Sequence, residues 1–230
     1  MMTGNEAVDY IHSMVWDRSA TGYEHAKELL MRMGNPEKKL KFVHIGGTNG
    51  KGSTASLVAS CLQQAGYKTG LYTSPYIYRF HERIQINGEE ILDEDLASVT
   101  ESVREIIERE SLSPSEFAVV CCIAFSYFAQ QNCDIVVLEV GMGGEKDSTN
   151  VIGCPEVAIL TNIGLDHTEY LGNTLEKIAV TKSKIIKPGC HAVTYREPAS
   201  VEAVFEARCK EVGAGWTKAD FDSIELLSAS

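Results

Sequence analysis

Residues Val43-His-Ile-Gly-Gly-Thr-Asn-Gly-Lys-Gly-Ser-Thr54 join an apolar run to a glycine-rich turn, a lysine and two hydroxyl residues. A helix-like run, Ala55 to Ala65, follows directly. Strand, glycine loop and helix in that order form a cradle for a nucleotide triphosphate. Glycine lets backbone N–H groups turn inward around phosphate oxygens. The helix N-terminus adds partial positive charge. Lys51 would act as a point charge on the β- and γ-phosphates, and Ser53 or Thr54 could reach a metal ion. The spacing departs from the usual G-x4-G-K-[ST]: only three residues separate Gly46 from Gly50, and Gly52 stands between Lys51 and Ser53. The competing reading is a glycine-rich strand-to-helix turn with no ligand. Gly-Lys-Gly-Ser-Thr directly after a buried strand argues against it.

Composition narrows the partners. The chain has 230 residues, 44% hydrophobic and 23% charged, as an ordinary globular protein does. A net charge of −11 opposes nucleic acid as the main partner, because phosphate-backbone binding needs a basic face. No apolar run reaches the ~20 residues of a membrane span, and Met1 to Trp16 lacks a signal-peptide core. Seven cysteines, Cys61, Cys121, Cys122, Cys133, Cys154, Cys190 and Cys209, show no metal-ligand spacing and mostly sit in apolar segments. They read as buried, reduced thiols. A monomeric protein of the cytoplasm, without nucleic acid or membrane as partner, is the expectation.

Along the chain, helices are expected over Tyr23–Met33, Ser53–Ala65, Asp93–Glu110, Thr174–Ile186 and Pro198–Val212. Ser113-Pro-Ser-Glu116 reads as a capping box opening a further, largely apolar helix to Gln131. Strands are expected over Phe42–Ile45, Lys68–Tyr72, Asp134–Val140, Glu156–Thr161 and Cys190–Thr194. Arg83 to Ile91 alternates around Asn87-Gly88, a type I′ hairpin signal. The fold class is therefore α/β: a mainly parallel sheet flanked by helices, with a small β-hairpin.

Ligands of open α/β sheets bind beyond the carboxyl ends of the strands. Those ends carry Gly47 to Ser53; then Thr73, Ser74 and Pro75; then Glu139, Gly141-Met-Gly-Gly144 and Asp147-Ser-Thr-Asn150; then Thr161-Asn162 and Asp166-His167. Glu139 is the sharpest, a carboxylate in a strand expected to be buried. Either a metal ion bridging phosphates or a structural ion pair would account for it. His167 alone would be weak, but its place after Asp166 at a strand end suggests a metal or phosphate role. Thr73-Ser74-Pro75 also reads as a simple turn. Lys182, Lys184 and Lys187 lie on one short helical stretch, which normally marks a solvated face.

Taken together these strings resemble the Mur ligase superfamily, and within it the folylpolyglutamate synthase and dihydrofolate synthase branch. The matching segments are His44 to Ser53, Gly70 to Pro75, Arg79-Phe-His-Glu-Arg-Ile84, Glu139 to Gly144, Asp147 to Asn150, Leu165-Asp-His167 and Leu171 to Thr174. The resemblance implies the family's P-loop NTPase-like central domain. It also implies ATP-dependent joining of L-glutamate to a folate or dihydropteroate through an acyl phosphate. It places ATP on Thr48, Asn49, Gly50, Lys51, Gly52, Ser53 and Thr54. Mg²⁺ falls to Ser74, Glu139 and His167, and catalytic roles to Lys51, Lys182 and His167. Lys182 matches a family lysine that is carbamylated, although Lys182-Ser-Lys-Ile185 stands where Lys-Ala-Gly-Ile is common. The pterin-bearing acceptor would touch Glu116, Phe117, Lys146, Asp147 and Ser148.

By the same resemblance, residues 1–230 form a single ATP-binding domain, and the family's C-terminal glutamate-binding domain lies outside this sequence. An isolated domain of that kind is expected to turn over weakly or not at all. Two other readings stay open: a Mur-type ligase acting on a cell-wall precursor, and a nucleotide-binding module without catalysis.

Overall fold

The structure is a computed structural model that describes residues 2–14, 22–220 and 222. Two helices lead, α1 (Gly4–His12) and α2 (Gly22–Arg32). The chain then alternates through β1 (Phe42–Gly46), α3 (Lys51–Gln64) and β2 (Thr69–Tyr72). A hairpin of β3 (Ile84–Ile86) and β4 (Glu89–Glu90) precedes α4 (Asp93–Glu110) and α5 (Glu116–Gln130). Next come β5 (Ile135–Glu139), β6 (Val157–Leu160), α6 (Thr168–Leu171) and α7 (Leu175–Ser183). The described chain finishes with β7 (His191–Thr194), α8 (Ala199–Val212) and β8 (Gly215–Lys218).

All eight strands form one sheet in the order β4-β3-β2-β5-β1-β6-β7-β8. The pairs β2–β3 and β3–β4 are antiparallel, and the others are parallel. The chain leaves β1 toward β2 on one side and leaves β5 toward β6 on the other. Adjacent strands whose connections diverge open a crevice at their carboxyl ends. Here that crevice lies between β1 and β5, where Ile45 pairs with Glu139.

Alternation along the strands divides the core. Val43, Ile45, Leu71 and Val137 face Ala55 and Ala59 of α3. Phe42, Tyr72, Val136 and Leu138 face the other way, into the main core with Phe125 and Phe128 of α5. Full burial of each such phenylalanine contributes on the order of 1.5–3 kcal/mol. Ala158, Leu160 and Ala192 pack under α7 and α8.

Several local expectations are corrected. Helix α3 starts at Lys51, not Ser53, because Gly50 takes a left-handed conformation (φ 79°) and caps it. The Ser113–Glu116 capping box does not form. Ser115 is the N-cap, without a side-chain cap bond, and its N–H donates to His25 Nδ1 of α2. A capping box forms instead between Thr3 and Glu6, opening a helix not anticipated from the sequence. Helix α7 stops at Ser183, three residues short of Ile186. Strand β8 was also unforeseen; it pairs with β7 through the register Ala192–Trp216. All seven cysteines are free, but Cys61 and Cys154 are exposed rather than buried. Among the described residues no helix is long and apolar enough to cross a membrane.

Candidate nucleotide and acceptor site

The loop after β1 is held by the end of β6. Thr161 Oγ1 donates to the Asn49 carbonyl at 2.8 Å. The Thr48 N–H donates to the Asn162 carbonyl, and the Asn49 N–H to Asn162 Oδ1 at 2.9 Å. Thr48 Oγ1 donates to the Gly164 carbonyl and accepts from the Gly164 N–H. Gly47 has φ 142°, and a Cβ there would lie 1.7 Å from Thr161 Oγ1. Only glycine fits that position. Lys51 Nζ donates to its own loop at the Thr48 carbonyl, 3.1 Å away. Ser53 is exposed and Thr54 half-buried on the first turn of α3. The cradle thus has glycines at the required bends and a helix N-terminus behind them, which fits a triphosphate.

Glu139 is 4% exposed and aims at this cradle: both carboxylate oxygens lie 3.5 Å from the place a Cβ would take on Gly52. The Ser74 N–H donates to Glu139 Oε2 at 2.9 Å. Burial pushes its pKa above the ordinary value, while the Ser74 bond, Lys51 and Arg83 pull it back. Among the described residues no cation lies within ion-pair distance of Glu139; Lys51 and Arg83 act on it from farther away. A desolvated hard-oxygen donor beside a phosphate cradle fits Mg²⁺, which keeps few protein ligands and takes phosphates and waters for the rest. Among the described residues no group of three or more His, Cys, Asp or Glu could hold a metal ion.

Lys182 does not sit on a solvated face. It is 3% exposed, and its Nζ donates to the Gly47 carbonyl at 2.7 Å. Burial, reinforced by Lys51, lowers its pKa to about 8. Lys187, equally lowered by burial, donates to the carbonyls of Asn150 and Ile152 and ties the loop after β5 to the segment between α7 and β7. His167 stands on the loop after β6 in a left-handed conformation, its side chain 48% exposed and 3.6 Å from Asp166.

The acceptor set divides. Asp147 is buried and accepts from the Met142 N–H and from the N–H and hydroxyl of Thr149. Thr149 in turn bonds His44, which burial holds neutral with a pKa of about 3. Phe117 packs against Gly141, where a Cβ would lie 2.5 Å from the ring. Glu116 is held by His12 Nδ1 of α1 at 3.1 Å. Ser148 is buried and its hydroxyl has no partner among the described residues. Lys146 is exposed and contributes its carbonyl to the Tyr23 N–H.

Residues 45–213 match the sequence profile of the Mur ligase middle domain. The chain belongs to that family. It is 40% identical over 228 residues to the folylpolyglutamate synthase of Lacticaseibacillus casei, covering 96% of this chain and 53% of that protein. It is 43% identical over 194 residues to the dihydrofolate synthase/folylpolyglutamate synthase of Bacillus subtilis, covering 82% and 45%. A solved FPGS–AMPPCP–folate complex superposes with a TM-score of 0.91 at 40% identity, over 96% of this chain and 55% of that one. The chain therefore spans about half the length of the relatives it matches.

Within this Mur ligase middle domain, several residues that shape the site went unassigned at the sequence level. Thr161 and Asn162 were noted only as polar strand ends. Glu197, after β7, accepts from the Ile163 N–H at 2.7 Å and so pins the loop leading to His167. His12 lies in an unrecognised helix, and Arg83 stood only within the Arg79–Ile84 string of the family resemblance, without a role of its own.

Proposed function

We propose that this chain is the nucleotide- and acceptor-binding domain of a ligase that joins L-glutamate to a folate or dihydropteroate at the expense of ATP. The observation that carries the reading is Glu139, a buried carboxylate with no cation in contact, held by Ser74 against a phosphate cradle. The folate-branch relatives and the complex described with AMPPCP and folate support it over other Mur-type chemistry.

In this reading Thr48 to Thr54 bind the triphosphate, with loop and helix amides on its oxygens. Ser74, Glu139 and His167 would hold Mg²⁺, which when bound neutralises charge on the β- and γ-phosphates. The acceptor carboxylate attacks the γ-phosphorus, the bond to the ADP oxygen breaks, and an acyl phosphate forms. The glutamate amine then attacks the carbonyl carbon, and inorganic phosphate and a proton leave. Lys51 turns from the Thr48 carbonyl to the phosphates and stabilises charge as it moves onto the leaving oxygen. Lys182, titrating near 8, is an unprotonated amine about a tenth of the time at pH 7. That free amine is the form able to take up CO₂ as a carbamate. Asp147, Phe117 and Glu116 shape the acceptor side.

The test is competitive binding in the presence of ATP–Mg²⁺. Dihydropteroate should bind saturably and a UDP-muramoyl precursor should not displace it. Selective binding of the muramoyl ligand would assign the chain to cell-wall synthesis, and binding of neither would leave a nucleotide-binding module.

A further inference from the structure

Arg83 ends the 3₁₀ turn Phe80–Arg83 and is 6% exposed. Its guanidinium carbon lies 5.9 Å from the centroid of Tyr72 and 5.7 Å from those of Phe80 and Phe117. The side chain makes one long hydrogen bond, from Nη2 to Tyr72 Oη at 3.4 Å, and its buried Nε has no partner. Among the described residues no carboxylate lies within ion-pair distance of it. Other arginines, such as Arg79, Arg104 and Arg208, each have a carboxylate.

A buried cation without a carboxylate in contact is costly unless something compensates it, and Glu139 acts on Arg83 only from beyond ion-pair distance. Three aromatic faces supply part of that compensation and hold the guanidinium in place. Apart from the long bond to the Tyr72 hydroxyl they accept nothing from its five N–H donors, whose planar fork matches a carboxylate. The position is also telling. The Arg83 carbonyl accepts from the Thr73 N–H, one residue before Ser74. Phe117, one wall of the cage, touches Gly141 beside Asp147. Arg83 therefore stands, like Glu139, at the carboxyl ends of β2 and β5, beside the acceptor residues.

We propose that Arg83 binds and orients the reacting carboxylate of the acceptor, with Phe117 and Tyr72 as apolar walls. This rests on reading the chain as a carboxylate–amine ligase domain. It assigns the phosphates to Lys51 and the carboxylate to Arg83, so the two reactants are gripped by different cations.

The test compares pteroate with its carboxamide, titrated into the 230-residue chain with saturating ATP–Mg²⁺. A charge-assisted bidentate contact predicts that the wild type prefers the carboxylate by about tenfold or more. Arg83→Met should bind both ligands equally, with unchanged affinity for the carboxamide and for ATP–Mg²⁺. Arg83→Lys keeps the charge but loses the planar fork and its stacking, and should retain only a few-fold preference. Should the methionine variant fail to fold, full preference in Arg83→Lys overturns the proposal. Equal affinities in the wild type, or an undiminished preference in folded Arg83→Met, overturn it and leave the folate reading intact. ATP–Mg²⁺ binding with no affinity for either pteroate ligand overturns both.

Discussion

The ammonium of Lys182 is hydrogen-bonded to the carbonyl of Gly47 at 2.7 Å. A buried cation on α7 is thereby tied to the bend that begins the phosphate cradle, with Lys51 nearby as a second positive charge. The arrangement burdens the nucleotide-free fold electrostatically, and its pH dependence has a definite sign. Lys182 titrates at about 8 in the folded chain and near 10.5 when unfolded. Below pH 8 both states carry the proton and the full burden is present, on the order of 3 kcal/mol. Between pH 8 and 10.5 the folded state releases the proton first, and the burden lifts.

Melting temperatures of the wild type and Lys182→Met, without nucleotide, should therefore converge or cross as pH rises from 7 to 10, the wild type gaining on the variant. A constant difference across that range would show that Lys182 titrates normally.

Glu139 behaves in the opposite sense. Burial raises its pKa above 4.5, so its burden is absent below that value and grows as pH rises through it. Glu139→Gln keeps an acceptor for the Ser74 N–H and removes the charge. In metal-free protein at pH 7 its stability should equal or exceed that of the wild type, while its affinity for ATP–Mg²⁺ falls by about tenfold or more. A less stable variant with undiminished Mg²⁺-dependent affinity would make Glu139 a structural residue.

Gly47→Ala should be damaging without touching any ligand. Its φ of 142° and the 1.7 Å approach to Thr161 Oγ1 leave no room for a methyl group. Urea denaturation should show a loss of about 2 kcal/mol or more. Gly50→Ala, with nothing within 4 Å of its Cβ position, meets only the left-handed strain and should lose less.

The parts of the fold that could be read in advance are those with strong local signals. The apolar run of β1, the glycine bend after it and the Asn87-Gly88 turn, with φ of 52° and 81°, all form as the sequence suggests. Failures occurred where tertiary contact outweighs local pattern. Ser113-Pro-Ser-Glu116 has the composition of a capping box, yet Ser115 is extended and docked on His25. Strand β8 carries one half-buried apolar side chain, Trp216, and owes its form to pairing with β7. In the site, Glu139 was legible because a carboxylate breaks an apolar strand. Arg83 was visible only as one letter of the Arg79–Ile84 string, because nothing in the local pattern places the rings of Tyr72, Phe80 and Phe117 around it. For Lys182 the ordinary rule for clustered lysines pointed to a solvated face and the family resemblance to the site; the packing of α7 buries it against Gly47.

The central claim is that the loop after β1 binds ATP–Mg²⁺ through Lys51. Isothermal titration calorimetry on the wild type and Lys51→Ala tests it directly. The wild type should bind one ATP–Mg²⁺ per chain, and the variant should lose the binding heat or weaken by about a hundredfold, the loss of a charge-assisted contact of ~3 kcal/mol. Unchanged affinity in a folded Lys51→Ala variant would contradict the assignment of this loop.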